Sequence, residues 1–371
     1  MRLGGPMRLT LSLIISIFSL SLWAEEPVKQ SPDLDTLQRI SEHNLEQAEY
    51  DRMFPDFRDM EKNIRPFAEY EKTGYLFFND DDYRGYATAI KKGIAQNLPK
   101  DVRLVVYSTS TNKNYLNSVK DKYSQWLAED QLIVLQIPRS GSNNFWTRDN
   151  LPLPVYTDDQ FTLVDAQYYY NFEPDQYLIQ LYGALSSKHR YFFEGGNFIT
   201  NARGECIVVN RRRSYPGGTS DTAAIPDDIF KKHYGCTKLT RLRHIKGIGH
   251  SDEVVKFISD DVIVTDTRAY VPQLEALGYE VHMLPEGRGR FETYANSLQV
   301  NDTLFFPTFG QSTDEQAMQV YKDLNPDLKI VPLPTRRLAG YGQGGIHCIT
   351  MNYPDVPMEE MVRTLGATII K

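Results

Sequence analysis

The chain contains few of the residues that build metal sites and disulfide frameworks: 3 cysteines and 7 histidines among 371 residues. No two cysteines have CxxC spacing and no HExxH sequence occurs, so the common zinc-binding patterns are missing and we predict no metal site. Excess basic charge is missing as well, because the net charge is −7, which gives no electrostatic footprint for nucleic acid. The one basic cluster, Arg211-Arg212-Arg213, is expected to be a solvated turn.

Long hydrophobic runs are also missing, with one exception near the start of the chain. Residues 9–23 are dominated by apolar side chains, follow Arg2 and Arg8, and end beside the small residue Ala24. About fifteen such residues suit a signal peptide and are short for a membrane span. We expect residues 1–24 to be a signal peptide cleaved near Ala24, which changes the net charge from −7 to −9 by removing two arginines. The expected location is periplasmic or secreted, without membrane contact after cleavage, and an uncleaved anchor is the alternative.

The rest of the chain has a globular composition, with 41% hydrophobic residues. Residues 25–65 are polar and acidic, and we interpret them as a helical or flexible N-terminal segment that precedes a domain at 66–371. Short strands and helices alternate in that domain at a spacing of very roughly 60 residues, which indicates an α/β fold. The pattern predicts a helix over residues 83–97 and a capping box at 313–316 that starts another helix.

The three cysteines are an odd number for an exported protein. Cys206 and Cys236 could form a disulfide bond and leave Cys348 as a free thiol, or both could be buried and reduced. The sequence leaves the two alternatives open.

Cys348 has the setting of a reactive thiol. It follows Gly344 and Gly345, where the backbone can turn sharply and no bulky neighbour blocks access to the sulfur. By itself, such a cysteine is more often a small buried hydrophobe than a nucleophile. Three upstream motifs change that balance, because together they supply an acid/base group and carboxylates for a cation. They are Trp146-Thr147-Arg148-Asp149, Phe193-Glu194-Gly195-Gly196-Asn197 and Gly249-His250-Ser251-Asp252.

Each of these motifs has a purely structural alternative. His250 and Asp252 precede a predicted strand and are two residues apart, so we expect both on one face, yet such a pair is often only a structural hydrogen bond. Asp149 is predicted to lie in a loop, where it could form a simple turn pair with Arg148. The glycines after Glu194 indicate either a tight turn or close approach of the backbone to a ligand, with Glu194 orienting a neighbour or touching the ligand.

The order of the motifs resembles that of the guanidino-group modifying superfamily, in the branch of agmatine deiminases and Porphyromonas-type peptidylarginine deiminases. The resemblance covers roughly residues 70–371 and includes five motifs. These are WxRD at 146–149, EGGN at 194–197, GHxD at 249–252, YANS at 294–297 and GGxHCxT at 344–350. The resemblance implies that the domain at 66–371 is a deiminase domain, built as a five-bladed, pseudo-symmetric α/β propeller with the site at its centre.

The resemblance assigns Cys348 as the nucleophile, His250 as the general acid/base, and Asp149 and Asp252 as the carboxylates that hold the guanidinium. Further candidates for substrate contact are Trp146, Arg148, Glu194, Asn197, Asn296 and Gly345. The chemistry agrees independently, because a guanidinium stays protonated and needs anions of matching geometry.

In the implied reaction, the thiolate attacks the central carbon, ammonia leaves, and water releases a ureido product. Neither a metal nor an organic cofactor is required. Carboxylates beside Cys348 disfavour its thiolate, so either the substrate cation or a protonated His250 must offset them. The sequence does not distinguish between these two sources of positive charge.

The expected activity is hydrolysis of a guanidino group, with peptidylarginine or an arginine derivative as the first substrate and agmatine as the alternative. A non-catalytic guanidinium-binding protein and an amidinotransferase are further alternatives, and a homodimer is left open. Two departures from the family pattern bear on specificity. Asn150-Leu151-Pro152 stands where relatives carry a residue and then Gly-Pro, and residues 169–175 contain no arginine where Porphyromonas-type enzymes carry a pair. A substrate with a free C-terminal carboxylate is therefore expected to be disfavoured.

Overall fold

Short β-strands in five separate sheets form the framework of the computed structural model, which describes residues 34–53, 63–136, 145–167, 186–211 and 222–356. These residues belong to one compact unit that spans residues 32–371. The strands are β1 Ile64–Pro66, β2 Thr73–Asn79, β3 Arg103–Ser108, β4 Leu132–Gln136, β5 Leu153–Thr157, β6 Gln160–Gln167, β7 Ser186–Phe192, β8 Ile199–Thr200, β9 Glu205–Asn210, β10 Lys238–Arg243, β11 Val255–Phe257, β12 Val262–Thr265, β13 Glu280–Met283, β14 Leu298–Val300, β15 Thr303–Thr308, β16 Lys329–Pro334 and β17 Met351–Pro354.

Helices connect many of these strands. The described α-helices are α1 Leu34–Met53, α2 Thr88–Asn97, α3 Lys113–Ser124, α4 Thr147–Asn150, α5 Asp227–Tyr234, α6 Val271–Ala276, α7 Thr313–Leu324 and α8 Arg336–Gly342. Single 3₁₀ turns occupy Gly195–Asn197, Ser251–Glu253, Arg268–Tyr270 and His347–Ile349. Among the described residues, no helix is both long enough and apolar enough to cross a membrane.

A common connection pattern recurs in the sheets. Three sheets have the orders β8-β9-β10, β11-β12-β13 and β14-β15-β16, and two have the orders β1-β5-β6-β7 and β17-β2-β3-β4. In each three-stranded sheet the first two strands are antiparallel, and a helix then crosses over to a parallel third strand. Parallel neighbours require such a crossover. The alternation seen in the sequence therefore corresponds to an α/β fold, as predicted.

Strand β2 shows why the core forms where it does. It lies between antiparallel β17 and parallel β3, and all its residues are buried. Successive side chains point to opposite faces, so Tyr75 and Phe77 enter one apolar cluster while Leu76 and Phe78 enter another. Each large side chain buried in this way contributes about 1.5–3 kcal/mol. Because both faces of β2 are covered, its middle is apolar, and the buried polar residues Thr73 and Asn79 lie at its two ends.

Two local predictions were wrong. The helix expected over residues 83–97 begins only at Thr88, because Tyr83 and Arg84 adopt left-handed φ angles of 47° and 56°. The Asp81 carboxylate accepts the Tyr83 N–H at 2.8 Å and stabilises this turn. Such turn chemistry competes with helix formation.

The capping box expected at 313–316 does not form. Thr313 lies inside α7, and the preceding Ser312 makes no side-chain cap. Instead the Asp314 carboxylate accepts backbone N–H groups of the loop before the helix. These donors are Phe309, Gly310 and Gln311.

Helix α1 lies against the β1-β5-β6-β7 sheet. The Asn44 side chain bonds both the N–H and the C=O of Phe192 in β7, and the Asp51 carboxylate accepts the Tyr191 hydroxyl at 2.7 Å. Residues 1–24, the predicted signal peptide, lie outside the described residues, as do 25–33 and 54–62 of the N-terminal segment. The boundary at residue 66 stays a prediction.

The cysteines divide into one pair and one free thiol. Cys206 in β9 and Cys236 after α5 form a disulfide bond with their Cα atoms 5.7 Å apart. Cys348 is free and buried. Of the two alternatives left by the sequence, the structure contains the paired one.

Candidate active site

The five motifs occupy one topological position, just before one strand of each sheet. Helix α4 precedes β5, the 195–197 turn precedes β8, the 251–253 turn precedes β11, Asn296 precedes β14, and the 347–349 turn precedes β17. Helix α4 contacts both the 195–197 and the 347–349 turns, and the 195–197 turn contacts the 251–253 turn. Motifs separated by up to about 200 residues in sequence therefore meet at one place in the fold.

Cys348 lies at this meeting point, with 4% of its surface exposed. The Asn296 side-chain amide and the Gly345 N–H donate to its Sγ at 3.3 Å and 3.4 Å. The thiol lies 3.8 Å from Asp252 Oδ2. Burial raises the pKa of Cys348 well above its usual value, and the negative charges of Asp252, Glu253 and Asp149 raise it further. The resting group is therefore a thiol rather than a thiolate.

The two predicted carboxylates and the histidine converge on Gly196. A Cβ at position 196 would lie 2.7 Å from Asp149 Oδ1, 2.7 Å from His250 Nδ1 and 3.3 Å from Asp252 Oδ2. A side chain there would fill the space between them, so the glycine is required for this close approach. Its N–H donates to Asp149 Oδ1 at 3.0 Å. Burial raises the pKa of Asp149, and Asp252 adds to the rise.

Two polar atoms in this group are unsatisfied. Within the described part of the chain, His250 Nδ1 and Asp252 Oδ1 have no hydrogen-bond partner, although both side chains are about 1% exposed. His250 Nδ1 faces Asp149 Oδ1 at 3.6 Å. Buried polar atoms are normally paired, so the unpaired His250 Nδ1 beside Gly196 indicates a place for a polar ligand.

The second nitrogen of His250 is held in place by an acid. His250 Nε2 lies 2.9 Å from Glu194 Oε2, and Arg211 ion-pairs with the same carboxylate and lies 3.3 Å from the imidazole. Glu194 therefore orients His250, which was one of its two predicted roles. The first residue of the basic run at 211–213 belongs to this network, contrary to the solvated turn expected from sequence, and residues 212 and 213 lie outside the described residues.

Asn296, Gly345 and Trp146 border Cys348. The Asn296 amide contacts the sulfur and also accepts the His347 N–H at 3.1 Å. A Cβ on Gly345 would lie 2.4 Å from Asn296 Oδ1, so a side chain there would displace that amide. A Cβ on Gly344 would meet the Trp146 ring at 2.6 Å and Cys348 Sγ at 3.3 Å. Trp146 therefore forms a wall beside the sulfur.

Arg148 and Asn197 are engaged elsewhere. The buried Arg148 guanidinium donates to Asn352 Oδ1 at 3.0 Å and to Met351 Sδ at 3.2 Å, both in the strand after Cys348. The Asn197 oxygen accepts the N–H groups of Val209 and Ser251, while its amide donates to Val209 and Thr222. Neither side chain is directed to the sulfur by these contacts, and a substrate contact by either stays a prediction.

A family model described as Porphyromonas-type peptidyl-arginine deiminase matches residues 79–354. The chain belongs to this family. The family is one of hydrolases that act on guanidino carbon–nitrogen bonds, and membership confirms the resemblance stated from the motifs.

Individual relatives agree with the family. A Latilactobacillus sakei protein provisionally named agmatine deiminase is 24% identical over 287 residues, which cover 59% of this chain and 78% of that protein. A Marinomonas protein of the same provisional name is 41% identical, but the match spans only 17% of either chain. A solved C. jejuni agmatine deiminase with substrate bound superposes with a TM-score of 0.66 at 16% identity, covering 81% of this chain and 99% of that one. This likeness supports the α/β fold.

Two geometric predictions about the family motifs need correction. His250 and Asp252 do not alternate along a strand, since Ser251–Glu253 is a 3₁₀ turn and β11 begins only at Val255. The turn brings both side chains to Gly196 by a different geometry. Asp149 lies in the short helix α4 rather than in a loop. Residues 169–175 lie outside the described residues, so the missing arginines remain a sequence observation.

Sequence reasoning missed several charged residues around Cys348. His347 lies within the GGxHCxT motif at 344–350, but no role was predicted for it. No role was predicted for Glu69, Lys256 or Glu253 either. Glu253 is 2% exposed, and burial together with Asp252 raises its pKa to about 7. The adjacency of His347 to Cys348 was the one available sequence signal.

One group has the spacing of metal ligands. Within the described ranges, ligand atoms of Asp149, Glu194 and His250 all lie within 4.8 Å of one another. Arg211 already places a positive charge on Glu194, which weakens the attraction of this group for a metal ion. The two carboxylates and the imidazole of this group suit an organic cation equally well.

Proposed function

We propose that the chain hydrolyses a guanidino group through a covalent adduct on Cys348, with an agmatine-type guanidine as the preferred substrate. The observation that carries this proposal is the convergence of Asp149, Asp252 and the unpaired, buried His250 Nδ1 at Gly196, with Asp252 Oδ2 3.8 Å from a free buried thiol. A planar cation with N–H donors would satisfy Asp252 and Asp149 together.

The preference for agmatine follows the relatives rather than the sequence motifs. The motifs alone favoured peptidylarginine, and the description of the family model keeps that substrate as the second candidate. Several similar proteins are named as agmatine deiminases, provisionally so for the Latilactobacillus sakei and Marinomonas proteins. The charge of Asp149 and Asp252 also suits a cationic substrate. Glu194 adds little to it because Arg211 is ion-paired with that carboxylate, and burial raises the pKa of Glu253 to about 7. A substrate carboxylate would be repelled by the same charges.

In the first half of the reaction, the Cys348 thiol gives its proton to His250, and the sulfur forms a bond to the guanidinium carbon as a carbon–nitrogen double bond becomes single. The tetrahedral adduct then loses one nitrogen as ammonia, with His250 donating the proton, and a thiouronium remains on the sulfur. In the second half, His250 takes a proton from water, the water oxygen bonds to the same carbon, and the carbon–sulfur bond breaks. The ureido product leaves, and the proton on His250 returns to the sulfur. The balance is one water consumed and one ammonia released.

The substrate itself supplies the charge that activates the sulfur. Carboxylates and burial hold Cys348 as a thiol in the empty site. A guanidinium bound between Asp149 and Asp252 would neutralise those carboxylates and favour the thiolate. Of the two sources of positive charge left open by the sequence, the substrate cation is the one we propose.

The proposal also includes the arrangement of the five sheets and the export of the protein. Five sheets with a shared site position support a five-bladed, pseudo-symmetric propeller with its axis near Cys348. Cleavage near Ala24 and export remain proposals, which the Cys206–Cys236 disulfide supports because such bonds persist in oxidising compartments.

A substrate panel tests the proposed reaction. Agmatine, an amide-capped arginine and a peptide ending in arginine are each assayed for released ammonia and for the mass of a ureido product. The order of kcat/KM should be agmatine, then capped arginine, then the C-terminal arginine peptide. Guanidine binding without ammonia would indicate a non-catalytic binding protein, and transfer to an added amine would indicate an amidinotransferase. A clear preference for the C-terminal arginine would overturn the proposed substrate class.

A further inference from the structure

The two oxygens of Asp252 have different surroundings. Oδ1 is buried and has no hydrogen-bond partner among the described residues, whereas Oδ2 lies 2.8 Å from His347 Nδ1. Oδ2 is also the oxygen 3.8 Å from Cys348 Sγ. The carboxylate is therefore fixed through Oδ2, the oxygen that also borders Gly196 and the Cys348 thiol.

His347 is held between two acids. Its Nδ1 contacts Asp252 Oδ2 at 2.8 Å, and its Nε2 contacts Glu69 Oε2 at 2.7 Å. A neutral imidazole carries one N–H and one lone pair, so it could donate to only one of two ionised carboxylates. Both contacts are satisfied when both ring nitrogens carry a proton. His347 is 4% exposed, so both contacts are shielded from bulk solvent.

Glu69 is fixed from its other side. Its Oε1 accepts the Gln299 N–H at 2.6 Å and ion-pairs with Lys256, whose side chain is 6% exposed. Burial alone would raise the pKa of Glu69, but Lys256 and His347 outweigh that effect and hold the pKa well below its usual range. The carboxylate is therefore ionised and can keep His347 protonated.

The chain of contacts joins elements that are distant in sequence. Glu69 precedes β2, Lys256 lies in β11, Gln299 lies in β14, and His347 precedes β17. Glu69, Lys256 and His347 also line a cavity of about 50 Å³ whose lining includes neither Cys348 nor Asp252. These contacts therefore lie behind the reacting groups, where they can support Asp252 without touching a substrate.

We propose that Glu69 and His347 are positioning residues: Glu69 keeps His347 in its cationic form, and His347 holds the Asp252 carboxylate beside Cys348 and Gly196, where the guanidinium would bind. This inference rests on the proposed deiminase function. It adds that the same cation lies next to Cys348 in sequence and shares Asp252 Oδ2 with its thiol, so it lowers the cost of forming the thiolate.

The charged groups that face His347 come from each neighbouring element. They are Glu69 from the segment before β2, Lys256 from β11, Asp252 from the 251–253 turn, Arg148 from α4, and Cys348 from its own turn. Removing the acid or the imidazole should therefore disturb the same set of charges, and the two changes should not act independently.

The kinetic test uses Glu69→Gln, His347→Gln and the double variant. We expect kcat/KM to fall about 10-fold for Glu69→Gln and about 100-fold for His347→Gln, because a small misplacement of a binding group costs that much. The double variant should fall no further than His347→Gln alone. If the effects of the two single variants multiply in the double variant, Glu69 and His347 have independent structural roles. That result would overturn the proposed relay, in which Glu69 acts on Asp252 through His347.

A second readout does not depend on turnover. Cys348 is the free cysteine of the chain, so the rate of alkylation by iodoacetamide against pH reports its thiolate. Both Glu69→Gln and His347→Gln should shift that profile to higher pH. The matched control is Glu205→Gln, because Glu205 is also ion-paired and its side chain is 20% exposed against 17% for Glu69. The control should leave the profile unchanged.

The two readouts separate the two proposals. If no guanidine is turned over but the alkylation profiles shift as expected, the relay stands and the deiminase function fails. If the wild type is active and the profiles of both variants coincide with it, the relay is wrong. Should His347→Gln fail to fold, Glu69→Gln keeps the size of the side chain, and its profile alone decides.

Discussion

The two sides of Cys348 differ in how their polar atoms are satisfied. On the side of Gly196, the buried His250 Nδ1 has no hydrogen-bond partner within the described residues. On the side of Glu69, both ring nitrogens of His347 are ion-paired, one with Glu69 and one with Asp252. Unpaired buried polar groups are costly and persist where a ligand completes them, while saturated networks fix geometry. One side is therefore built to receive a cation and the other to hold the receiving groups still.

The largest effect should come from removing the nucleophile on the open side. Cys348→Ser should lower kcat at least about 10³-fold, because a serine hydroxyl is barely ionised and no strong base is placed to compensate. The measurement is ammonia release under saturating guanidine. A double Cys206→Ser, Cys236→Ser variant is the control, since it removes the disulfide but should keep turnover. Activity of Cys348→Ser within tenfold of the wild type would contradict the thiolate mechanism.

The next largest effect concerns the open-side carboxylates. Asp149→Asn and Asp252→Asn should each reduce kcat/KM by about 10²–10⁴-fold, because a buried charge-assisted contact to the guanidinium is lost. Asp159→Asn, in an exposed turn, should leave the kinetics unchanged. If either site variant matched that control, the residue concerned would be structural.

A variant of Glu194 tests the orientation of His250 while the imidazole itself is retained. Glu194→Gln keeps the size of the side chain but removes the charge 2.9 Å from His250 Nε2. We expect kcat to fall about 10–100-fold and the pH–rate profile to move, since general acid/base catalysis depends on the orientation and charge of the imidazole. A KM effect with an unchanged kcat and pH profile would instead assign Glu194 to substrate binding.

The smallest effect is on stability and concerns Glu253. Its pKa is raised to about 7 from an ordinary value of 4.5, chiefly by burial, so the folded state holds a proton that the unfolded state releases between these values. The wild type therefore loses stability as pH rises from 4.5 to 7, and the loss persists above 7. Glu253→Gln should be more stable than the wild type at pH 8 by about 3 kcal/mol and equal to it below pH 4.5. Equal stability at both pH values, measured by denaturant unfolding, would contradict the assigned burial of the charge.

The open side of the site was predictable from the sequence and the closed side was not. Cys348, His250, Asp149 and Asp252 stand in short motifs whose residue types and order indicate the chemistry, and the fold brings them together. Glu69 carries no local motif, and it becomes part of the site only through packing of elements that are distant in the chain.

Local backbone geometry was less predictable than the site. The 3₁₀ turn at 251–253 and the left-handed residues before α2 follow from side chains that satisfy nearby backbone groups, and hydrophobic periodicity does not record these contacts. The disulfide between Cys206 and Cys236 likewise depends on the distance between β9 and the end of α5, which only the fold supplies.

Detection of a covalent adduct on Cys348 would test directly whether the reaction proceeds through attack by this sulfur on the guanidinium carbon. Enzyme is mixed with agmatine, quenched in acid over a time series and digested, and the peptide that contains Cys348 is weighed. We expect an added mass of agmatine minus ammonia on that peptide, and no such mass on the corresponding peptide of Cys348→Ser. Formation of the ureido product by both proteins, with the Cys348 peptide unmodified at every time point, would contradict it.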